Sequence, residues 1–128
     1  NSSKMTFNRL AALITAALTV GFGQAFAQDV TLTCTYKMTT GGGPGLSTYQ
    51  TSVVINSSNE TINGRSDSDF EWRPNRISWK NTGVVAYIEG CYTCNGYIDR
   101  GTGKFYEENN KDAWSYNEGR CEVSNNLF

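Results

Sequence analysis

The sequence predicts an all-β domain, a small antiparallel barrel or a two-layer sandwich of about seven or eight short strands, preceded by a signal-peptide helix. Three observations carry this. Asp29 to Met38 alternates without a break: Val30, Leu32, Cys34, Tyr36 and Met38 share one face, and Thr31, Thr33, Thr35 and Lys37 share the other. That period of two marks a strand with one buried and one wet face. Ile77 to Glu107 strings short β-branched and aromatic runs between turns containing Gly or Asn, which reads as an antiparallel meander. Beyond the leader, no helical periodicity lasts longer than a turn or two.

The leader comes first. Asn1 to Lys4 precede Met5, the expected natural start, and are left out of the fold reading. Lys4 and Arg9 stand before the apolar run Leu10 to Phe22, and Ala25-Phe26-Ala27 offers small residues where a signal peptidase reads them. Residues 1–27 are therefore expected to be upstream residues and a cleavable signal peptide, and 28–128 a single exported β domain in the periplasm or outside the cell. A retained membrane anchor is the competing reading, but a run of thirteen residues falls short of the roughly 20 that a span needs.

Of the chain's eleven basic residues, Lys4 and Arg9 go with the leader, which holds no acidic residue. Nine basic residues then face twelve acidic ones, with no basic stripe, so nucleic acid is not an expected partner. All three Trp and all seven Tyr lie after the leader, enough large apolar surface for a compact core.

Thr39 to Ser47, with Gly41-Gly42-Gly43-Pro44-Gly45, reads as a loop. A phosphate cradle would need a following Lys-Ser/Thr and an opening helix, and neither is there. Tyr49 to Asn56 is a strand, turned by Ser57-Ser58-Asn59 into a second one over Glu60 to Gly64. Arg65 to Asn75 is polar and reads as an irregular connection. Its Asp67, Asp69 and Glu71 resemble a calcium loop only superficially, because the glycine and the closing glutamate of that loop are missing. Ile77 to Lys80 and Val84 to Ile88 follow as strands around Asn81-Thr82-Gly83. Asn95-Gly96 reads as a turn closing Cys91 to Cys94, and Arg100 to Gly103 as a turn between strands at Tyr97-Ile98 and Lys104 to Tyr106. Ala113 to Tyr116 and Gly119 to Val123 complete a last hairpin around Asn117-Glu118. The expected core is Val30, Leu32, Tyr36, Val53, Ile55, Ile62, Ile77, Trp79, Ala86, Ile88, Ile98, Phe105 and Trp114.

Four cysteines in an exported chain read as two disulfides, with three possible pairings. The local spacing pairs Cys91 with Cys94, which leaves Cys34 with Cys121 and ties the first strand to the last. Thiol–disulfide chemistry at Cys91-x-x-Cys94 is the alternative function. Such motifs work at a helix N-terminus, however, and no helical pattern follows here. A four-cysteine zinc site fits the ligand type but not the distant spacing or an oxidising compartment.

The chain has no histidine. That removes Ser-His-Asp and Cys-His catalysis, His-ligated metals and the usual general base. Glycosidase chemistry would need two carboxylates on one cleft. Glu89, Asp99, Glu107 and Glu118 qualify by type alone and read better as solvated edge and turn residues. No catalytic residue, metal or cofactor is expected.

Leu32-Thr33-Cys34-Thr35, Tyr97-Ile98-Asp99-Arg100-Gly101-Thr102-Gly103-Lys104 and Gly119-Arg120-Cys121 together resemble a loose group of small exported bacterial proteins of unknown function. These share an early Thr-Cys-Thr strand, an Asp/Asn-Arg-x-Thr-Gly turn and a terminal Gly-x-Cys. The resemblance implies a compact β domain with a first-to-last-strand disulfide and no activity to carry over; the Cys91–Cys94 pair is an addition to that pattern. The size, export signal and Cys34 strand are also partly similar to the periplasmic inhibitors of C-type lysozyme, which implies a small antiparallel barrel. Their inhibitory Ser- and Lys-bearing loop has no counterpart in this sequence, so no inhibitory residue is transferred. The expected function is non-enzymatic: a monomeric domain that binds a protein or a cell-envelope ligand, free of the membrane once the leader is cleaved. Trp72 and Tyr92 are the expected binding patch.

Overall fold

A computed structural model describes residues 28–111 and 115–124. Nine strands lie among them: β1 Val30–Thr40, β2 Gly43–Pro44, β3 Tyr49–Asn56, β4 Thr61–Ile62, β5 Phe70–Trp72, β6 Arg76–Lys80, β7 Cys94–Asp99, β8 Lys104–Asn109 and β9 Ser115–Val123. Every paired strand is antiparallel. They form one sheet in the order β4-β3-β1-β9-β8-β7-β6-β5, with β2 folded back on the end of β1. The sheet curls into a half-barrel, so the fold is all-β and a curled single layer rather than a sandwich. No described residue is helical. The signal-peptide helix, the cleavage point and Trp114 lie outside the described residues.

The first and last strands meet in the middle of the sheet, where β9 pairs with β1 from Tyr116↔Thr39 to Val123↔Leu32. The open edges, β4 and β5, are consecutive in the chain, so the seam of the half-barrel is spanned by residues 63–69. Each long strand alternates as its sequence does. Cys34, Tyr36, Val53, Ile55, Ile77, Trp79, Ile98 and Phe105 point inward and are buried. Tyr36 meets Phe105 edge-on at 5.4 Å. On the outer face Tyr97, Tyr106 and Tyr116 stack across three strands at 5.9 and 5.6 Å, and the Arg76 guanidinium lies 3.8 Å over Tyr97.

Disulfides join Cys34 to Cys121 and Cys91 to Cys94. The first pair sits at directly opposed positions of β1 and β9. It therefore cross-links the two neighbouring strands at the centre of the sheet, not the edges at its seam.

Several local readings differ from the structure. Val84 to Ile88 is a loop, because a buried carboxyl group takes its backbone N–H groups in place of a neighbouring strand. Asn95-Gly96 is not a turn but lies inside β7. Gly96 is needed there for room, since a Cβ would stand 2.9 Å from the Glu107 backbone and 3.0 Å from the Trp79 ring. The connection at 65–75 contains β5, whose Phe70 is buried and packs in the core. Asn117-Glu118 does not turn the chain: β9 runs on through it, with β8 as the hairpin partner. Within the expected core, Ile88 is exposed (78%) and Val30 is partly so (42%).

Candidate functional site

The two ends of the half-barrel differ. One is covered by residues 81–93, the connection between β6 and β7, and Glu107 governs how that loop is built. On β8 the period of two sets Phe105 and Glu107 inward while Lys104 and Tyr106 face out. Glu107 is fully buried. Its Oε2 accepts hydrogen bonds from Trp79 Nε1 at 2.9 Å and from the Val84 N–H at 2.6 Å. Its Oε1 accepts from the N–H groups of Ala86 at 2.6 Å, Val85 at 3.2 Å and Tyr87 at 3.3 Å. All of these partners are donors, so the carboxyl group serves as an acceptor cluster around which the loop wraps. Burial pushes the Glu107 carboxyl above its ordinary pKa, and the N–H groups of Ala86 and Val84, the Trp79 indole and the Val85 N–H oppose that rise.

The rest of the loop is tied down as well. Tyr87 Oη and Ser115 Oγ lie 2.6 Å apart, and the Thr82 hydroxyl donates to the Glu89 carbonyl at 2.8 Å. Arg65, from the seam, donates to Thr82 Oγ1 at 3.1 Å and to the Gly83 carbonyl at 2.9 Å. The Cys91–Cys94 bridge closes the far side, and Thr93 Oγ1 donates to Asn109 Oδ1 at 2.6 Å. This fixed backbone holds two large apolar side chains in water: Ile88 is 78% and Tyr92 81% exposed. Ala86, Tyr87, Ile88, Gly90, Cys91 and Tyr92 border an open cleft there.

The structure does not bring Trp72 and Tyr92 together. Trp72 is half-buried at the end of β5, opposite Ile77. Tyr92 precedes β7 at the other end of the sheet, where Lys80 pairs with Asn95. Ile88, assigned to the core from its pattern, is exposed instead and borders the same cleft as Tyr92.

The four carboxylates weighed for catalysis do not converge. Glu107 is inside the barrel, Glu89 and Glu118 are exposed, and Asp99 holds the β7–β8 turn. Glu107 is thus not the solvated residue its type suggests; its signal was its inward register with Phe105. Asp67 pairs with Arg65 and caps the Asp69 N–H, while Glu71 pairs with Arg73. Among the described residues, no three His, Cys, Asp or Glu gather as a metal site. Cys94 is fully buried, Cys91 half-buried, and a strand follows them. Compared with protein-family models, curated proteins and solved structures, the chain matches none of them.

Proposed function

We propose that this chain is a non-enzymatic, exported recognition domain that binds a protein partner through residues 81–93. The observation that carries the reading is Ile88 and Tyr92, held out in solvent by a loop whose backbone is fixed from within by Glu107. Exposing two large apolar side chains on an ordered loop costs solubility without adding to the core. In an interface the same arrangement supplies an aromatic and an aliphatic anchor whose ordering is already complete before binding. Two disulfides fit a chain that works in an oxidising compartment such as the periplasm or the extracellular space.

The test uses the exported protein and its Ile88→Asp/Tyr92→Ala variant as parallel baits against the exported proteins of the source culture. One protein should be retained by the native chain and lost from the variant, with the two baits unfolding at the same denaturant midpoint. Equal retention by both would move the site elsewhere. Turnover in an insulin-reduction assay, abolished by Cys91→Ser, would replace recognition with thiol–disulfide chemistry.

A further inference from the structure

We propose a second site, at the opposite end of the half-barrel from the loop, that binds a medium-chain alkyl carboxylate such as a free fatty acid. That end is open. Val30, Leu32, Ile55, Ile77, Ile98 and Val123 line a cleft of about 420 Å3 there, within the roughly 300–1,000 Å3 range of small-molecule sites and at the mouth of a barrel, where such sites recur. Val123 and Val30 are 67% and 42% exposed, so apolar wall reaches the solvent at the rim.

Arg100 gives the cleft its polar end. It stands in the β7–β8 turn, with its backbone N–H bonded to the Asn75 carbonyl at 2.9 Å. Its guanidinium reaches across to Ser57 Oγ at 2.8 Å and to the Arg73 carbonyl at 3.1 Å. Those contacts hold the guanidinium with neutral acceptors, and Arg100 and Ser57 both line the cleft. Among the described residues Arg100 has no ion pair.

The two acidic residues of the lining do not cancel it. Asp99 Oδ1 is turned back on the N–H groups of Gly101 and Thr102 at 2.9 Å each. Glu122 alternates outward on β9 and is exposed. An apolar trough ending at a fixed, unpaired guanidinium matches an alkyl chain ending in a carboxylate, which Arg meets in fork geometry. A neutral alcohol of the same length leaves that charge unmatched, and a cationic amphiphile is repelled.

Decanoate is the probe, followed through methyl resonances of the exported chain. Saturable shifts at Val30, Leu32, Ile55, Ile77, Ile98 and Val123 are expected, with decanoate about tenfold tighter than 1-decanol, the scale of one charge-assisted contact. Arg100→Gln should bring decanoate down to the decanol level. Val123→Glu, at an exposed position outside the core, should abolish decanoate binding with the fold intact. Decanoate that fails to saturate, shifts centred on Ile88 and Tyr92, equal affinity for decanol, or an unaffected Val123→Glu variant would each overturn the proposal. So would binding confined to phosphatidylglycerol vesicles, which would make the mouth a membrane-contact surface. The protein-capture experiment at the loop is independent of all these outcomes.

Discussion

Glu107 and Trp79 meet inside the half-barrel, the indole N–H donating to Oε2 over 2.9 Å from a strand two places away in the sheet. The same carboxyl group receives four consecutive backbone N–H groups, from Val84 to Tyr87. One side chain therefore satisfies both a core aromatic and the loop that covers it. Glu107→Ala should cost about 3 to 5 kcal/mol, because it strands several buried donors at once. Glu107→Gln keeps one acceptor oxygen but turns an NH2 toward the remaining donors, so about 2 to 3 kcal/mol is expected. Urea midpoints, followed by the fluorescence of the three Trp residues, measure both. An alanine variant of native stability would mean that the loop does not depend on this group.

Gly103 has a φ of +81°, and a Cβ there would press on the Cys121 carbonyl. Gly101 has an ordinary φ, and its nearest neighbour is Asp99 Oδ1 at 3.4 Å. Gly103→Val should therefore lose about 2 to 4 kcal/mol, and Gly101→Ala less than about 1. Chemical denaturation of the two variants side by side checks the asymmetry. Equal losses would contradict it.

The Cys34–Cys121 bridge spans 87 residues and Cys91–Cys94 only 3. On chain-entropy grounds, replacing the first pair by Ala should cost about 2 to 5 kcal/mol and the second less. The second pair should matter more for partner capture, since it borders the loop that carries Ile88 and Tyr92. Comparing midpoints with retained partner for both double variants separates the two roles.

Much of the sheet was legible because its signals are periodic. β1 alternates from Val30 to Met38, and Cys34 and Tyr36 at the middle of its inward face are buried. The all-β class follows from that pattern and the antiparallel turns; the choice between a barrel and a sandwich does not, because alternation shows that a face is buried and not what buries it. Two of the misreadings share one physical cause: a tertiary partner outweighs the local propensity. Val84 to Ile88 has strand-forming residues, but its N–H groups go to Glu107, more than 20 positions away in sequence. Asn95-Gly96 has turn composition, yet its glycine is there to make room for Trp79. Glu107 reads as solvated by residue type, although its spacing from Phe105 places it inside. Tyr92 stands out in the sequence for its place beside the cysteines, and it is exposed. Ile88 reads as core because it is an aliphatic residue in an apolar run, yet it is exposed.

Asp99 supplies a pH dependence. The Thr102 N–H holds its carboxyl below the usual range; burial opposes this, and the Gly101 N–H adds to the lowering. Because the folded pKa lies below the unfolded value of about 3.9, the stabilisation is present above that value. It is lost as pH falls through the folded pKa. Asp99→Asn keeps a carbonyl acceptor for the turn but removes the charge. It should therefore flatten this part of the acid limb of stability, with a smaller difference at high salt, as befits an exposed group. A carboxyl resonance titrating at or above the usual value would refute the assignment.

Arg65 closes the seam that the strands leave open. Its guanidinium donates to Asp67 Oδ2 at 3.0 Å, Thr82 Oγ1 at 3.1 Å and the Gly83 carbonyl at 2.9 Å, and it lies 4.8 Å from the Phe70 ring centroid. It thereby links the connection after β4, the start of the loop over Glu107 and the edge strand β5. Lysine carries the charge but lacks the planar fork that serves three acceptors while stacking on Phe70. Arg65→Lys and Arg65→Ala should therefore both destabilise, the alanine by about 2 to 4 kcal/mol. The loss should also be local. Amide exchange should quicken at Ile62, Phe70 and Thr82, because the edges on either side of the seam open without unfolding the rest. The β1–β9 centre, pinned by Cys34–Cys121, should keep its protection. Uniform acceleration across both regions would mean that the half-barrel opens only as a whole, and that Arg65 is one contact among many and not the latch of its seam.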